Sequence, residues 1–346
     1  MKTEFDVLGI GNVLMDIIAA VPDKFLTDHN IEKGSMTLID EPHALALNKA
    51  LNSAGKAQEI AGGSAANTLF GIGALGLRAA YLGNVANDAV GRRMSAGMTE
   101  GGVDFSSKPK TSGPASGRCL IAVTPDGERS MSTFLGTSCL FTPKDIVKAK
   151  VESAACVYLE GYLFDTEPAK AAFIKVAEIA RAAGRQVALT LSDSFCVGRH
   201  RDSFRQLVGN HVDILFANSD EILSLYETDS LDKALDELTK IKTVACITRG
   251  EKGSIIQDTE RRYHVKACPV DKVVDTTGAG DQYAAGVLAG HAMGLDWADA
   301  GHLGSLAAAE VISHYGARPE LSLIHISEPT RQAEISYAVF CLKKKK

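Results

Sequence analysis

The sequence predicts an α/β fold: a central, mostly parallel sheet with helices on both faces, plus a small β-sheet lid. Three observations carry this. Short apolar runs alternate with stretches of helical periodicity from residue 5 to residue 314. Glycine turns close the first run and open two of the later helices. One pair of alternating segments brackets Thr124-Pro125-Asp126-Gly127, whose Pro-Asp-Gly chemistry signals a hairpin and breaks the strand–helix order.

The elements follow in chain order. Residues 5–10 (FDVLGI) are a short apolar strand run ended by glycines. Residues 13–20 and 35–39 are strand-like and separated by polar loop, and 42–54 and 64–75 read as helices. A strand over 79–83 precedes a helix over 88–100. The hairpin segments 118–123 and 130–135, together with 13–20 and 35–39, are expected to form a small antiparallel sheet standing off the main one. Such a sheet serves either as a mobile cover over a site or as an ordinary edge extension. Residues 154–159 (AACVYL) are strand-like; over 168–183, Phe173, Val176, Ala177 and Ala180 recur at helical spacing behind Pro168. The β runs 186–191, 212–216 and 244–248 interleave with helical stretches 201–209 and 231–241. Residues 280–293 and 297–314 are two alanine-rich helices. No internal repeat or low-complexity linker interrupts residues 1–320, so a single domain is expected, its lid drawn from about 13–40 and 117–135.

Composition narrows the function class. The chain has 346 residues, 45% hydrophobic and 23% charged, with a net charge of -5. No apolar run approaches the ~20 residues that cross a bilayer. No basic block precedes the last four residues, which argues against a nucleic-acid partner. The first six residues carry acids and run straight into a strand, unlike a secretory leader. Seven scattered cysteines with no CxxC pair indicate neither a zinc site nor a disulfide framework, and a reducing cytoplasm fits them. Oligomeric state is left open.

Residues 321–346 stand apart. They resemble a translated sequencing adaptor: a transposase-end sequence, a short index, a flow-cell primer and a poly-A read. The alternative is a genuine polar tail with a basic end. On the adaptor reading this stretch has no evolved structure, and without it the charge is 32 Lys+Arg against 40 Asp+Glu, a net of -8.

Two motifs carry chemistry. In Asp275-Thr276-Thr277-Gly278-Ala279-Gly280-Asp281 the glycines permit a tight turn immediately before a helix. Backbone N–H groups and the positive helix end then form an anion site with Asp281 at its mouth. A carboxylate there can take a proton from a hydroxyl while the amides hold charge on a transferring phosphoryl group. The plainer reading makes Asp281 a helix cap and the glycines a turn. In Ala61-Gly62-Gly63-Ser64-Ala65-Ala66-Asn67, paired glycines again open a helix, and the Asn67 amide lies one turn inside it, suited to ligand hydroxyls. Its plainer reading is a turn with small residues for close packing.

In this order and at this separation, the two motifs resemble those of the ribokinase-like (PfkB) carbohydrate kinase family. Gly62–Asn67 matches its N-terminal signature, and Asp275–Asp281 followed by Gln282-Tyr283-Ala284-Ala285-Gly286 its C-terminal one. Gly83-Asn84-Val85-Ala86-Asn87-Asp88 with Gly91 is similar to its G-x-x-G-x-D-x-x-G stretch, with Ala86 replacing a glycine. Asn218-Ser219-Asp220-Glu221 matches its N-x-x-E, and Thr248-Arg249-Gly250 its T-x-G. The likeness runs from about Asp6 to Pro319. It implies transfer of the ATP γ-phosphoryl group to a substrate hydroxyl, with Asp281 as general base and Gly278, Ala279 and Gly280 as anion hole. By the same resemblance, Asn218 and Glu221 position hydrated Mg2+, and Asn218, Thr248 and Gly250 line the ATP site. A K+ ion is implied at Asp275 and the Thr277 carbonyl.

The acceptor is read from the first turn. Gly9-Ile10-Gly11-Asn12-Val13-Leu14-Met15-Asp16-Ile17 resembles the adenosine kinase branch of that family. The branch implies that Asn12 and Asp16 hold ribose hydroxyls beside Gly63, Ser64 and Asn67, and that Arg129 on the hairpin clamps phosphates as the lid closes. It implies a base pocket of Leu14, Met36, Met131, Tyr162 and Phe195, since aromatic and apolar faces suit a purine. Taken singly, Asp16 is equally a solvated strand residue, and each apolar residue core. The expected reaction is phosphorylation of adenosine to AMP, with small-molecule partners only. A sugar kinase acting on ribose or a ketohexose, and a non-catalytic nucleoside- or sugar-binding protein, are the alternatives.

Overall fold

A computed structural model describes residues 3–55 and 57–320; the adaptor-like stretch 321–346 lies outside the described residues. In chain order the strands are β1 (Phe5–Ile10), β2 (Leu14–Ala20), β3 (Met36–Leu38), β4 (Gln58–Ala61), β5 (Ala79–Leu82), β6 (Val103–Asp104), β7 (Gly117–Val123), β8 (Arg129–Phe134), β9 (Ala154–Glu160), β10 (Gln186–Thr190), β11 (Ile214–Asn218), β12 (Val244–Thr248), β13 (Ser254–Gln257) and β14 (Arg262–Val265). Nine form the main sheet in the order β14-β13-β12-β11-β10-β9-β1-β5-β6. It is parallel from β12 to β6, and β13 and β14 add antiparallel pairs at one edge.

Burial is nearly continuous along these strands, as covering both faces requires, while successive side chains alternate between the two faces. Leu8, Val157 and Leu215 face one core layer, closed by the helices Glu167–Ala182, Ser194–His211, Ser219–Tyr226 and Leu231–Lys240. Val7, Tyr158 and Phe216 face the other, closed by the helices Ser64–Ala74, Ala89–Glu100 and Ala279–Ala292. The chain runs outward from β1 to β6 and then returns beside β1 at β9. In an open α/β sheet that reversal leaves a crevice at the carboxyl ends of the strands.

The second sheet has the order β3-β8-β7-β2-β4. The expected hairpin is β7–β8, antiparallel with Arg118 opposite Phe134. The expectation of a wholly antiparallel sheet is corrected: β2 runs parallel to β7, and β3 parallel to β8. The cause is chain path, because the intervening residues travel through the main sheet before returning to the same side. Two other readings shift. The helix expected at 201–209 is the second half of Ser194–His211, two helices joined across a kink at His200. The strand expected at 212–216 lies at Ile214–Asn218. The edge strand β4, the pair β13–β14 and the helix Ser219–Tyr226 were not expected.

Candidate active site

A cavity of about 410 Å³ opens at the carboxyl ends of the parallel strands, between the two sheets. Asn12 enters it from the β1–β2 turn, Leu14 and Asp16 from the start of β2, Met36 and Met131 from the rest of the small sheet, and Glu160, Thr190, Asn218 and Thr248 from the ends of main-sheet strands. Gly63, Ser64, Asn67 and the loop Thr276–Asp281 complete it. The two glycine motifs, far apart in sequence, therefore share one cleft.

Gly278 has φ 79° and ψ 0° and starts the helix Ala279–Ala292. A Cβ there would meet Ala317 Cα at 2.6 Å, so conformation and space both demand glycine. Among the described residues the N–H groups of Gly278, Gly280 and Asp281 take part in no hydrogen bond, while that of Ala279 reaches Thr276 O at 3.2 Å. Free amides at a helix start are what an anion site needs. Asp281 accepts from Ser64 Oγ at 2.6 Å and from Asn67 Nδ2 at 3.2 Å. Burial pushes its carboxyl up to about 6, against the pull of those two donors.

On the facing wall, the Asn12 side-chain amide is buried with both polar atoms unpartnered among the described residues. Its backbone is fixed: Asn12 N–H donates to Glu160 Oε1 at 3.0 Å, and Asn12 O accepts from Tyr81 OH at 2.9 Å. Asp16 presents its carboxylate nearby, pushed up to about 7 by burial and held down in part by the positive charges of Arg318 and Arg129. Gly62 explains how Asp16 fits, because a Cβ on Gly62 would overlap that carboxylate. Buried, unpaired hydrogen-bonding groups of both signs on one wall suit a polyhydroxylated ligand.

Leu14, Met36, Met131 and Tyr162 line the same cavity, with Met36 paired to Met131 across β3 and β8. Phe195 corrects the expectation. It is 72% exposed and outside the cavity lining, because it lies on the outer face of the first turn of Ser194–His211 while Cys196 and Val197 turn inward. Gly250 also falls outside the lining, in the turn Gly250–Lys252 beyond β12, whereas Thr248 lies within it.

Asn218 and Glu221 form a reciprocal capping box on the cleft rim. Glu221 Oε1 and Oε2 accept from Asn218 Nδ2 at 2.7 Å and Asn218 N–H at 3.0 Å. Burial raises the Glu221 carboxyl to about 7. Each carboxylate oxygen keeps a second lone pair, so the pair fits the outer shell of a hydrated divalent ion whose other ligands come from phosphate. Asp275, implied as a K+ ligand together with the Thr277 carbonyl, is held within the anion loop. Its Oδ1 accepts from Thr277 N–H at 2.9 Å; its Oδ2 accepts from Gly316 N–H at 3.0 Å and pairs with Arg129 Nη2 at 2.6 Å. A guanidinium already supplies the positive charge, and Arg129 also donates to Thr277 Oγ1. Arg129 itself sits beside the cavity, outside its lining.

Sequence reasoning missed two charged groups, one buried and one half-buried. Glu160, pushed up to about 7 by burial, ties Asn12 N–H to Ala65 N–H (2.8 Å) and so joins the two strands' ends to the helix Ser64–Ala74. Its position at the end of an apolar run was the available signal. Arg318 lies in a segment with no motif, and only the long-range fold brings it to Asn67.

A model of the pfkB family of carbohydrate kinases matches residues 33–323. The chain is 44% identical to a solved adenosine kinase from Sinorhizobium meliloti, over 92% of this chain and 97% of that one, with a TM-score of 0.87. It is likewise 44% identical to the structure of a probable sugar kinase from Rhizobium etli CFN 42, over 92% and 96%, with a TM-score of 0.87. Adenosine kinase 2 of Arabidopsis thaliana is 27% identical over 302 residues, 81% of this chain and 86% of that protein.

Proposed function

The chain belongs to the pfkB family of carbohydrate kinases, and from that premise we propose that this ATP-dependent kinase phosphorylates the 5′-hydroxyl of adenosine to give AMP. The observation that carries the reading is Asp281: a buried carboxylate, beside three unpartnered amides, in the same cleft as Asn12 and Asp16.

Asn12 and Asp16 receive the ribose hydroxyls, the amide offering donor and acceptor and the carboxylate accepting from vicinal O–H groups. Asn67, turned toward Asp281, completes that wall with Gly63 and Ser64. Leu14, Met36, Met131 and Tyr162 supply a mainly apolar wall that favours a purine face over the hydroxyls of a hexose. The 5′-hydroxyl is then within reach of Asp281. That carboxylate, raised to about 6, is ionised at neutral pH yet basic enough to accept the proton. The 5′-oxygen attacks the γ-phosphorus, the bond to the β-phosphate bridging oxygen breaks, and ADP leaves. Gly278 and Gly280 N–H donate to the phosphoryl oxygens as charge builds on them. Thr248 and Asn218 border the nucleotide. Asn218 and Glu221 would hold Mg2+ through water, and the ion supplies charge neutralisation on the phosphates. Arg129 supplies a fixed positive charge beside the anion loop, and no step here calls on K+.

The small sheet acts as the cover: it contributes Met36 and Met131 to the cleft and is tied to the anion loop through Arg129. A coupled ATP-consumption assay over adenosine, other nucleosides, ribose and fructose tests the reading. Adenosine turnover with the highest kcat/KM is expected. Turnover of ribose or fructose alone would make the protein a sugar kinase, and binding without turnover a non-catalytic receptor.

A further inference from the structure

Arg318 stands behind the cleft wall. It is absent from the cavity lining, and it makes no salt bridge to any carboxylate among the described residues. A half-buried cation with no carboxylate at ion-pair distance is costly unless its surroundings use the charge. Its guanidinium carbon lies 4.8 Å from the centre of the Phe70 ring, and Nη2 contacts Met98 Sδ at 3.5 Å. Its Nε donates to Asn67 Oδ1 at 3.3 Å. Asn67 Nδ2 in turn donates to Asp281 Oδ2 at 3.2 Å.

We propose that Arg318 is a positioning residue for phosphoryl transfer, holding the Asn67 amide so that its NH2 group, and not its oxygen, faces Asp281. The inference rests on the kinase reading above. An amide can flip, and the reverse orientation would set oxygen against carboxylate and NH2 against guanidinium, both repulsive. Only the arrangement seen satisfies both ends. With the amide turned this way the carboxylate is stabilised as the ion and aimed into the cleft.

The segment that delivers Arg318 is itself pinned to the anion loop. Gly316 N–H donates to Asp275 Oδ2 at 3.0 Å, and Ala317 packs against Gly278. Gln282 Nε2 bonds both Ala317 O and Asn67 O at 3.0 Å. Three consecutive residues thus couple the loop that binds phosphate to the helix that carries Asn67. The guanidinium's acidity is raised by burial, to about 10, with Asp16 acting against that shift through space; the charge therefore persists at any working pH.

The test is a double-mutant cycle with Arg318→Met, Arg318→Lys, Asn67→Ala and the two combinations, run on whichever acceptor the wild-type enzyme turns over. Arg318→Met is expected to lower kcat/KM for that acceptor by about 10–100-fold, with KM for ATP changed by less than about twofold. Arg318→Lys, which keeps the charge and loses the planar Nε donor, should recover only part of this. In the Asn67→Ala background either change should add less than about twofold. Should Arg318→Met fail to fold, Arg318→Lys carries the cycle. Penalties that multiply independently of Asn67, or a loss confined to melting temperature, would overturn the proposal. A wild-type protein that prefers a sugar would overturn the adenosine reading and leave this cycle standing.

Discussion

Ser64 and Asp281 are 217 positions apart in the chain and 2.6 Å apart in the structure, the serine hydroxyl donating to the carboxylate. Ser64 opens a helix directly behind Gly63 (φ 91°), and Asp281 lies in the first turn of the helix that follows Gly278 (φ 79°). The helices Ser64–Ala74 and Ala279–Ala292 pack on the same face of the main sheet. Their N-termini therefore point at one spot, and the partial positive charge of both ends falls on the same carboxylate.

Replacing that carboxylate is the direct consequence to test. Asp281→Asn keeps shape and hydrogen-bonding capacity but cannot take a proton. A fall in kcat of about 10²–10⁴-fold is expected, with adenosine binding by calorimetry nearly unchanged. Full turnover in this variant would reduce Asp281 to a residue of the helix start.

The same burial sets a pH dependence with a definite sign. Asp281 is pushed up to about 6, and Asp16, Glu160 and Glu221 to about 7, all above the ordinary carboxylate range. A carboxyl whose folded pKa is raised contributes stability that is fully present below its unfolded pKa and is lost as pH rises through the folded value. Folding stability should thus decline between about pH 4 and pH 7 through these four groups, while kcat/KM rises with an apparent pKa near 6 as Asp281 ionises in the free enzyme. Asp281→Asn should gain melting temperature relative to wild type at pH 8 more than at pH 5. A variant whose relative stability ignores pH would show that Asp281 is not destabilised by its burial.

Gly62 offers a test of Asp16 that leaves Asp16 in place. A Cβ at position 62 overlaps the Asp16 carboxylate, so Gly62→Ala must push that side chain from its seat on β2. KM for the nucleoside should rise by about 10–100-fold, the scale for a lost hydroxyl partner of 1–3 kcal/mol, while KM for ATP stays put. An equal rise in both constants would mean that the helix start had moved as a whole.

Much of this site was legible because its chemistry sits in contiguous motifs. A glycine pair before Ser64, another bracketing Ala279, and the Asn218–Glu221 spacing are local patterns, and local turn geometry follows from them. The main sheet was legible for a similar reason, since strands covered on both faces are continuous apolar runs. What was hidden depends on distant pairing. The strand β4, with Gln58 and Glu59 exposed at the edge of the small sheet, has no apolar signature, and its register with β2 comes from the fold. The parallel pairing of β2 with β7 cannot be read from the hairpin alone. Arg318 meets Asn67 across 251 positions of sequence, and nothing near Arg318 marks it as more than a surface base.

Arg129 links the small sheet to the anion loop, through Asp275 at 2.6 Å and Thr277. The ion pair is mostly buried, with side-chain exposures of 19% and 2%. Arg129→Met should lower kcat by about 10²-fold, the scale for removing one charge-stabilising donor, and should speed amide exchange in β7 and β8. Normal kinetics with only a lower melting temperature would make the pair a structural clasp.

Tyr162 and Phe195 separate the base pocket seen in the cavity from the one expected from the motif. Tyr162 lines the cavity, its backbone N–H held by Ser192 Oγ at 3.1 Å, and its phenol lies near Asp193. Phe195, at 72% exposure, points away from it. Truncating an exposed ring outside the cavity lining removes little, so Phe195→Ala should leave the ratio of adenosine to ribose turnover within about twofold of wild type. Truncating Tyr162 strips one side of the proposed purine site, and aromatic contact of this kind contributes about 0.5–1.5 kcal/mol beyond its buried area. Tyr162→Ala should therefore cut that ratio by about tenfold, acting on nucleoside KM more than on kcat. Were Phe195→Ala the damaging change and Tyr162→Ala the silent one, the ring at 195 would have to fold over the cleft when nucleoside binds. The first turn of Ser194–His211, set off from the rest of its helix by the kink at His200, would then be the part that moves.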